Sequence, residues 1–309
     1  MTGLYAPVHF FVDGICAWAM LGRLDADFGG ILLYNFCAFA MQLPLGAVLD
    51  RLSDRRWPLR FAALGCGLAV LGAFCHPAVL GLGNALFHVG GGVDVIRDGG
   101  RCEKLGIFVA PGAMGLYLGG LLAGKLPWLL LPVGIFMALL LKNIRIPEKI
   151  STAPLQKPAV FAALSCFAVV VLRSLVGFQV VFPWKTGGWA FAAVGAVVLG
   201  KMLGGILVAR FGGRRVTVWS LTLAAVGYAL GAAPAFGLLA LLCFNMTMPL
   251  TLFSLWRRFP SYPGTVFGSL TLALFLGFLP VHYGINLPIG GVLGSILSLV
   301  LLWKAVEDA

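Results

Sequence analysis

The residues of this sequence best placed to do chemistry are ionisable side chains set inside long apolar runs. Asp13 lies in the middle of the first run, and His9 precedes it by four residues, one helical turn away on the same face. Asn84 and His88 repeat that spacing in the fourth run, Arg173 is central in the seventh, and Lys201 lies in the eighth. A charge in a hydrocarbon core costs roughly 2.5–3.5 kcal/mol on insertion scales, so such residues usually mark a pathway for an ion or a polar solute. His9, Asp13 and His88 are candidates for taking up and releasing a proton, because imidazole titrates near neutral pH and a carboxylate beside it can share the exchange. Arg173 keeps its charge under all conditions and needs a counter-charge, from Asp13 or from an anionic solute. Lys201 would add a second cation. Asn84, Asn35, Gln179 and Asn245 could complete a solute site, although each could equally serve as an interhelical hydrogen bond. No Ser/His pairing and no His/Glu/His spacing occurs, so no enzyme, cofactor or metal is expected. The seven cysteines occur singly, without a Cys-x-x-Cys pair, and read as small hydrophobes.

The elements that hold these residues follow from composition. The chain has 309 residues, 60% of them hydrophobic and 11% charged, against roughly 45–50% and about 25% in a soluble domain. Nearly every stretch between charge clusters is an apolar run long enough to cross a membrane as a helix. Twelve spans are predicted, near 4–22, 28–49, 58–75, 78–96, 104–124, 126–143, 158–180, 188–209, 216–233, 235–255, 264–284 and 286–303. Little chain remains for a soluble domain. The first run lacks a basic leader and carries His9 and Asp13 at its centre, so it reads as a span and not as a cleaved signal.

The net charge of +11 is distributed, not patchy. With twelve spans, seventeen of the 22 lysines and arginines fall on the side of both termini and only Arg23, Lys125 and Lys185 on the other. The positive-inside rule then places both termini in the cytoplasm and the protein in the cytoplasmic (plasma) membrane, and no nucleic acid is needed to explain the charge.

An internal repeat goes further. GAVLDRLSDRR (46–56) follows span 2 and GILVARFGGRR (205–215) follows span 8, with Gly46 and Gly205 offset by 159 residues. Glycine, arginine and a closing Arg-Arg pair recur in register. Both segments resemble the G-x-x-x-D-x-x-G-R-R motif of the major facilitator superfamily. The resemblance implies two pseudo-symmetric bundles of six helices, residues 1–145 and 158–309 joined by a cytoplasmic linker at 146–157, with a cavity between them. It also implies a conformational latch made by Gly46, Asp50, Arg51, Arg55 and Arg56, with a weaker copy at Arg210, Arg214 and Arg215, where Ala209 replaces the acid. Asp94 and Arg97, three apart at the cytoplasmic end of span 4, would join that latch. Gly106, Gly115, Gly119 and Gly120 in span 5 are similar to the glycine pattern of the superfamily's antiporters, without its proline. The Phe87-His88 pair is similar to the fosmidomycin-resistance branch.

The expectation is therefore an all-α integral membrane protein, a secondary transporter of a small and anionic organic solute by alternating access, coupled to protons. A monomer in the lipid bilayer is expected. An exporter of amphipathic cations held by Asp13, and a lipid scramblase or flippase on the same fold, remain as alternatives.

Overall fold

The computed structural model describes residues 2–52, 54–123, 125 and 160–306. The described residues are mostly helical and contain no strand. Eleven helices follow in order: α1 (Thr2–Arg23), α2 (Phe28–Arg51), α3 (Trp57–Cys75), α4 (Pro77–Arg97), α5 (Cys102–Leu121), α6 (Val160–Gln179), α7 (Gly187–Phe211), α8 (Gly213–Ala229), α9 (Pro234–Arg258), α10 (Pro263–His282) and α11 (Gly291–Ala305). They match expected spans 1–5 and 7–12, so that α6 is the seventh span. The sixth span at 126–143 and the linker at 146–157 lie outside the described residues. Nine of the eleven are long and apolar enough to cross a membrane.

Local chemistry sets the helix starts. Asp27 accepts a hydrogen bond from the Gly30 amide at 2.7 Å and so caps α2. Prolines occupy the first turn of α3, α4 and α9, where a missing N–H costs nothing. Gly212, at φ +85°, turns the chain sharply between α7 and α8.

The chain forms two compact units. One comprises the described residues of Met1–Gly100, Pro111–Thr152 and Ser261–Leu272; the other comprises those of Arg101–Ala110, Ala153–Pro260 and Ala273–Ala309. Helices in lipid gain no hydrophobic drive from meeting, so close backbone approach supplies the contact. In the first unit, α3 and α4 press together along Gly65, Gly72, Gly83 and Gly90, where an added Cβ would come within 2.2–2.4 Å of the facing backbone. In the same way, Gly115 and Gly119 of α5 sit 2.0 and 2.1 Å, measured from a built Cβ, from the carbonyls of Phe10 and Gly14 in α1.

Three helices are interrupted. α2 contains a π-helical turn at Phe36–Ala40, followed by Pro44, which cannot donate to the Ala40 carbonyl. α5 breaks at Ala110 before Pro111, and α9 at Met246, three residues before Pro249. The break in α5 coincides with the boundary between the two units.

Candidate functional site

In the first unit, α1 and α4 bring three ionisable side chains together. His9 Nε2 lies 3.1 Å from Asp13 Oδ2, and His88 Nε2 lies 3.6 Å from Asp13 Oδ1. The two imidazoles meet Nε2 to Nε2 at 2.8 Å, edge to face, with ring centroids 4.4 Å apart. His9 and Asp13 are buried and His88 nearly so. The helical i,i+4 spacing within α1 sets the first contact, and the packing of α1 on α4 sets the others.

Hydrogen bonding constrains the protons. His88 Nδ1 lies 2.8 Å from the Asn84 carbonyl, which can only accept, so Nδ1 carries a proton. In a neutral ring Nε2 of His88 then offers a lone pair, directed at His9 Nε2. The tautomer of His9 then decides whether a proton lies between the two imidazole nitrogens and the carboxylate. Asn84 Nδ2 donates to Asp13 Oδ1 at 3.0 Å and holds that carboxylate in place, with Cys16 Sγ at 3.5 Å from the same nitrogen. Its amide is thus directed at Asp13. His9, Asp13 and His88 are also the one group of three His, Cys, Asp or Glu residues, among those described, whose ligating atoms lie close enough to hold a metal ion, all within 4.8 Å.

Gly112 of α5, absent from the sequence reading, completes this cluster. A Cβ there would come within 2.3 Å of both Asp13 Oδ2 and His9 Nε2. The position must be glycine for the cluster to keep its form. The proline before it and the two glycines that follow at a three- and seven-residue spacing are the sequence signal for a face that approaches another backbone.

In the second unit, Arg173 of α6 is 7% exposed and its Nη1 is buried without a hydrogen-bond acceptor. A buried guanidinium nitrogen left unsatisfied costs stability unless something supplies the acceptor. Lys201 of α7 is half-buried, and its carbonyl lies 2.7 Å from a Cβ built on Gly106, where α5 meets α7. Gln179 clamps the loop before α11: Nε2 donates to the Leu287 carbonyl at 2.6 Å, and Oε1 accepts from the Leu287 amide at 3.1 Å. Asn35 and Asn245 each donate to the carbonyl one turn earlier in their own helices, Ile31 and Leu241, both at 2.8 Å.

The repeated segments take structural form at helix ends. Asp50 accepts from the amides of Gly264 and Thr265 at 2.8 and 2.7 Å and from Thr265 Oγ1 at 2.8 Å. A carboxylate of α2 thereby caps the N-terminus of α10, where free N–H groups and the helix dipole favour negative charge. Gly46 allows the approach, since a Cβ there would lie 2.1 Å from the Gly264 carbonyl. Gly205 repeats the contact in the other unit, 2.6 Å from the Cys102 carbonyl at the start of α5 by the same measure, and Ala209 provides no cap. Asp94 accepts from Tyr5 OH at 2.8 Å, and Arg97 lies in the field of Asp50 and Asp94. Arg51, Arg56, Arg210 and Arg215 are exposed and Arg55 is half-buried. Arg214 lies over the Trp303 ring at 5.5 Å.

No family model and no curated protein matches this sequence. Among solved structures, a crystal structure of the E. coli fucose:proton symporter FucP is similar over 98% of this chain and 97% of its own, with a TM-score of 0.61 at 15% identity. The proton:xylose symporter XylE of the major facilitator superfamily is similar over 99% of this chain and 95% of its own, with a TM-score of 0.64 at 14% identity. A bacterial homologue of the iron transporter ferroportin in an outward-facing state covers 98% of this chain and 97% of its own, with a TM-score of 0.58 at 15% identity. At these identities the likeness establishes the fold, that of major facilitator superfamily transporters.

Proposed function

We propose that this protein is a secondary active transporter that moves a small organic anion across the membrane by alternating access, coupled to protons. The observation that carries the reading is Arg173, a permanent cation buried in a span with one nitrogen lacking an acceptor. An anionic solute would supply that acceptor each time it binds and remove it each time it leaves. Coupling to protons is carried over from FucP and XylE, both described as proton symporters. It is assigned here to His9, Asp13 and His88, whose facing nitrogen and oxygen atoms lie within hydrogen-bonding reach of one another. The cation-exporter reading gains less support, because His9, His88 and Asn84 crowd both oxygens of Asp13 against a bulky organic cation.

The test uses purified protein in proteoliposomes with a panel of small carboxylates and phosphates, scored by thermal shift and then by counterflow. Arg173→Gln is expected to remove ligand-induced stabilisation, whereas Asp13→Asn should retain binding and solute exchange while losing the response to a pH gradient. Retention of anion binding by Arg173→Gln overturns the assignment. If organic cations stabilise the protein and Asp13→Asn abolishes that effect, the exporter reading replaces it.

A further inference from the structure

His9, Asp13 and His88 meet the requirements of a metal site more closely than those of a simple ion pair. His9 Nε2 stands 2.8 Å from His88 Nε2 and 3.1 Å from Asp13 Oδ2, His88 Nε2 stands 3.6 Å from Asp13 Oδ1, and one ligand atom from each residue falls within 4.8 Å of the other two. An ion bonded at about 2.1 Å to nitrogen and oxygen sets its ligands about 3.0 Å apart in an octahedral corner and about 3.4 Å apart in a tetrahedral one. The two separations from His9 Nε2 lie near the octahedral value, and Asp13 presents a different oxygen to each imidazole. The ligand set is two imidazoles and one carboxylate, which with open positions is the facial arrangement favoured by divalent transition metals.

Further interactions support the same site. A ligating imidazole needs its other nitrogen held by an acceptor so that the lone pair points inward, and the Asn84 carbonyl does this for His88 at 2.8 Å. A ligating carboxylate needs an outer donor, and Asn84 Nδ2 provides it to Asp13 at 3.0 Å. One residue thus orients two of the three ligands. Gly112 packs closely against His9 Nε2 and Asp13 Oδ2, where a side chain would intrude on both ligand atoms.

We propose that His9 Nε2, Asp13 and His88 Nε2 form a binding site for one divalent transition-metal ion of the Zn2+, Co2+ or Mn2+ class. Mg2+ and Ca2+, which prefer all-oxygen shells, are poor occupants of a site with two nitrogens. The inference rests on reading this cluster as a cation site and is independent of Arg173.

The test titrates tag-free protein in detergent with Co2+, following the visible ligand-field bands, and then displaces Co2+ with Zn2+. One ion per chain is expected, with no competition from Mg2+ or Ca2+. His9→Gln and His88→Gln should each weaken binding at least tenfold, while His76→Gln, at an exposed position outside the cluster, leaves it unchanged. X-ray absorption at the zinc edge, on the unmodified protein, needs no variant to fold: two imidazole ligands are expected, and none or one overturns the site. Unchanged affinity in both histidine variants, or no change in the Co2+ spectrum, also overturns it. Failure of anion binding in proteoliposomes, by contrast, counts against the transport reading and leaves the metal result standing.

Discussion

A single glycine decides the form of the ionisable cluster. Because a Cβ on Gly112 would come within 2.3 Å of both His9 Nε2 and Asp13 Oδ2, Gly112→Ala must push one of them aside or separate α5 from α1. Overpacking of this kind costs about 1–3 kcal/mol. The expected outcome is a lower melting temperature and loss of pH-driven transport, with anion binding at Arg173 preserved; a thermal scan beside a counterflow assay checks both. Sequence reading placed His9 and Asp13 together because they share one helix turn, and it singled out His88 and Asn84 by the same spacing. It could not bring the two pairs together. His9 and His88 are 79 residues apart, and their 2.8 Å contact depends on how α1 and α4 rotate against each other. Asn84, Asn35 and Asn245 illustrate the same limit, since an amide in a helix looks alike whether it serves a solute, a neighbour or its own backbone.

At the scale of the element, the first of the two repeated segments acts through a carboxylate and a glycine. Asp50 holds two backbone amides and a hydroxyl at the start of α10, and charged hydrogen bonds of this type contribute about 1.5–3 kcal/mol. Asp50→Asn is therefore expected to loosen α2 from α10. Spin labels at the facing ends of these two helices, near Arg51 and Pro263, should report a broader and longer distance distribution. Arg56→Ala, at an exposed position, should leave that distribution nearly unchanged. Gly46→Ala should act like Asp50→Asn, because its Cβ would collide with the Gly264 backbone. The interruptions of α2, α5 and α9 fall at or within a few residues of prolines that the sequence displays openly, Pro44, Pro111 and Pro249. Such breaks are where a long helix can bend without losing further hydrogen bonds.

For the whole molecule, topology is the property most open to test. The seventeen basic residues assigned to one side predict that reporters fused after Lys304, or inserted near Arg56, stay in the cytoplasm. One inserted near Lys185 should reach the outer face. Paired fusions with an enzyme active only outside and a fluorophore folding only inside would read this directly. Reversed signals at both positions would require the opposite orientation.

Apolar run length and the spacing of charge along the chain determined the membrane class and eleven of the helices, because a bilayer imposes one length and one polarity on every span. The repeat of glycine and arginine at an offset of 159 residues pointed to a fold that is shared with solved transporters. Which polar side chains face one another was decided only by tertiary structure. In a span of uniform hydropathy the pattern carries almost no rotational signal, so helix rotation is set by glycines meeting backbones on helices distant in sequence. Gly115 and Gly119 against the backbone of α1, and Gly46 against Gly264, are contacts of that kind, and they position the cluster and the cap on α10.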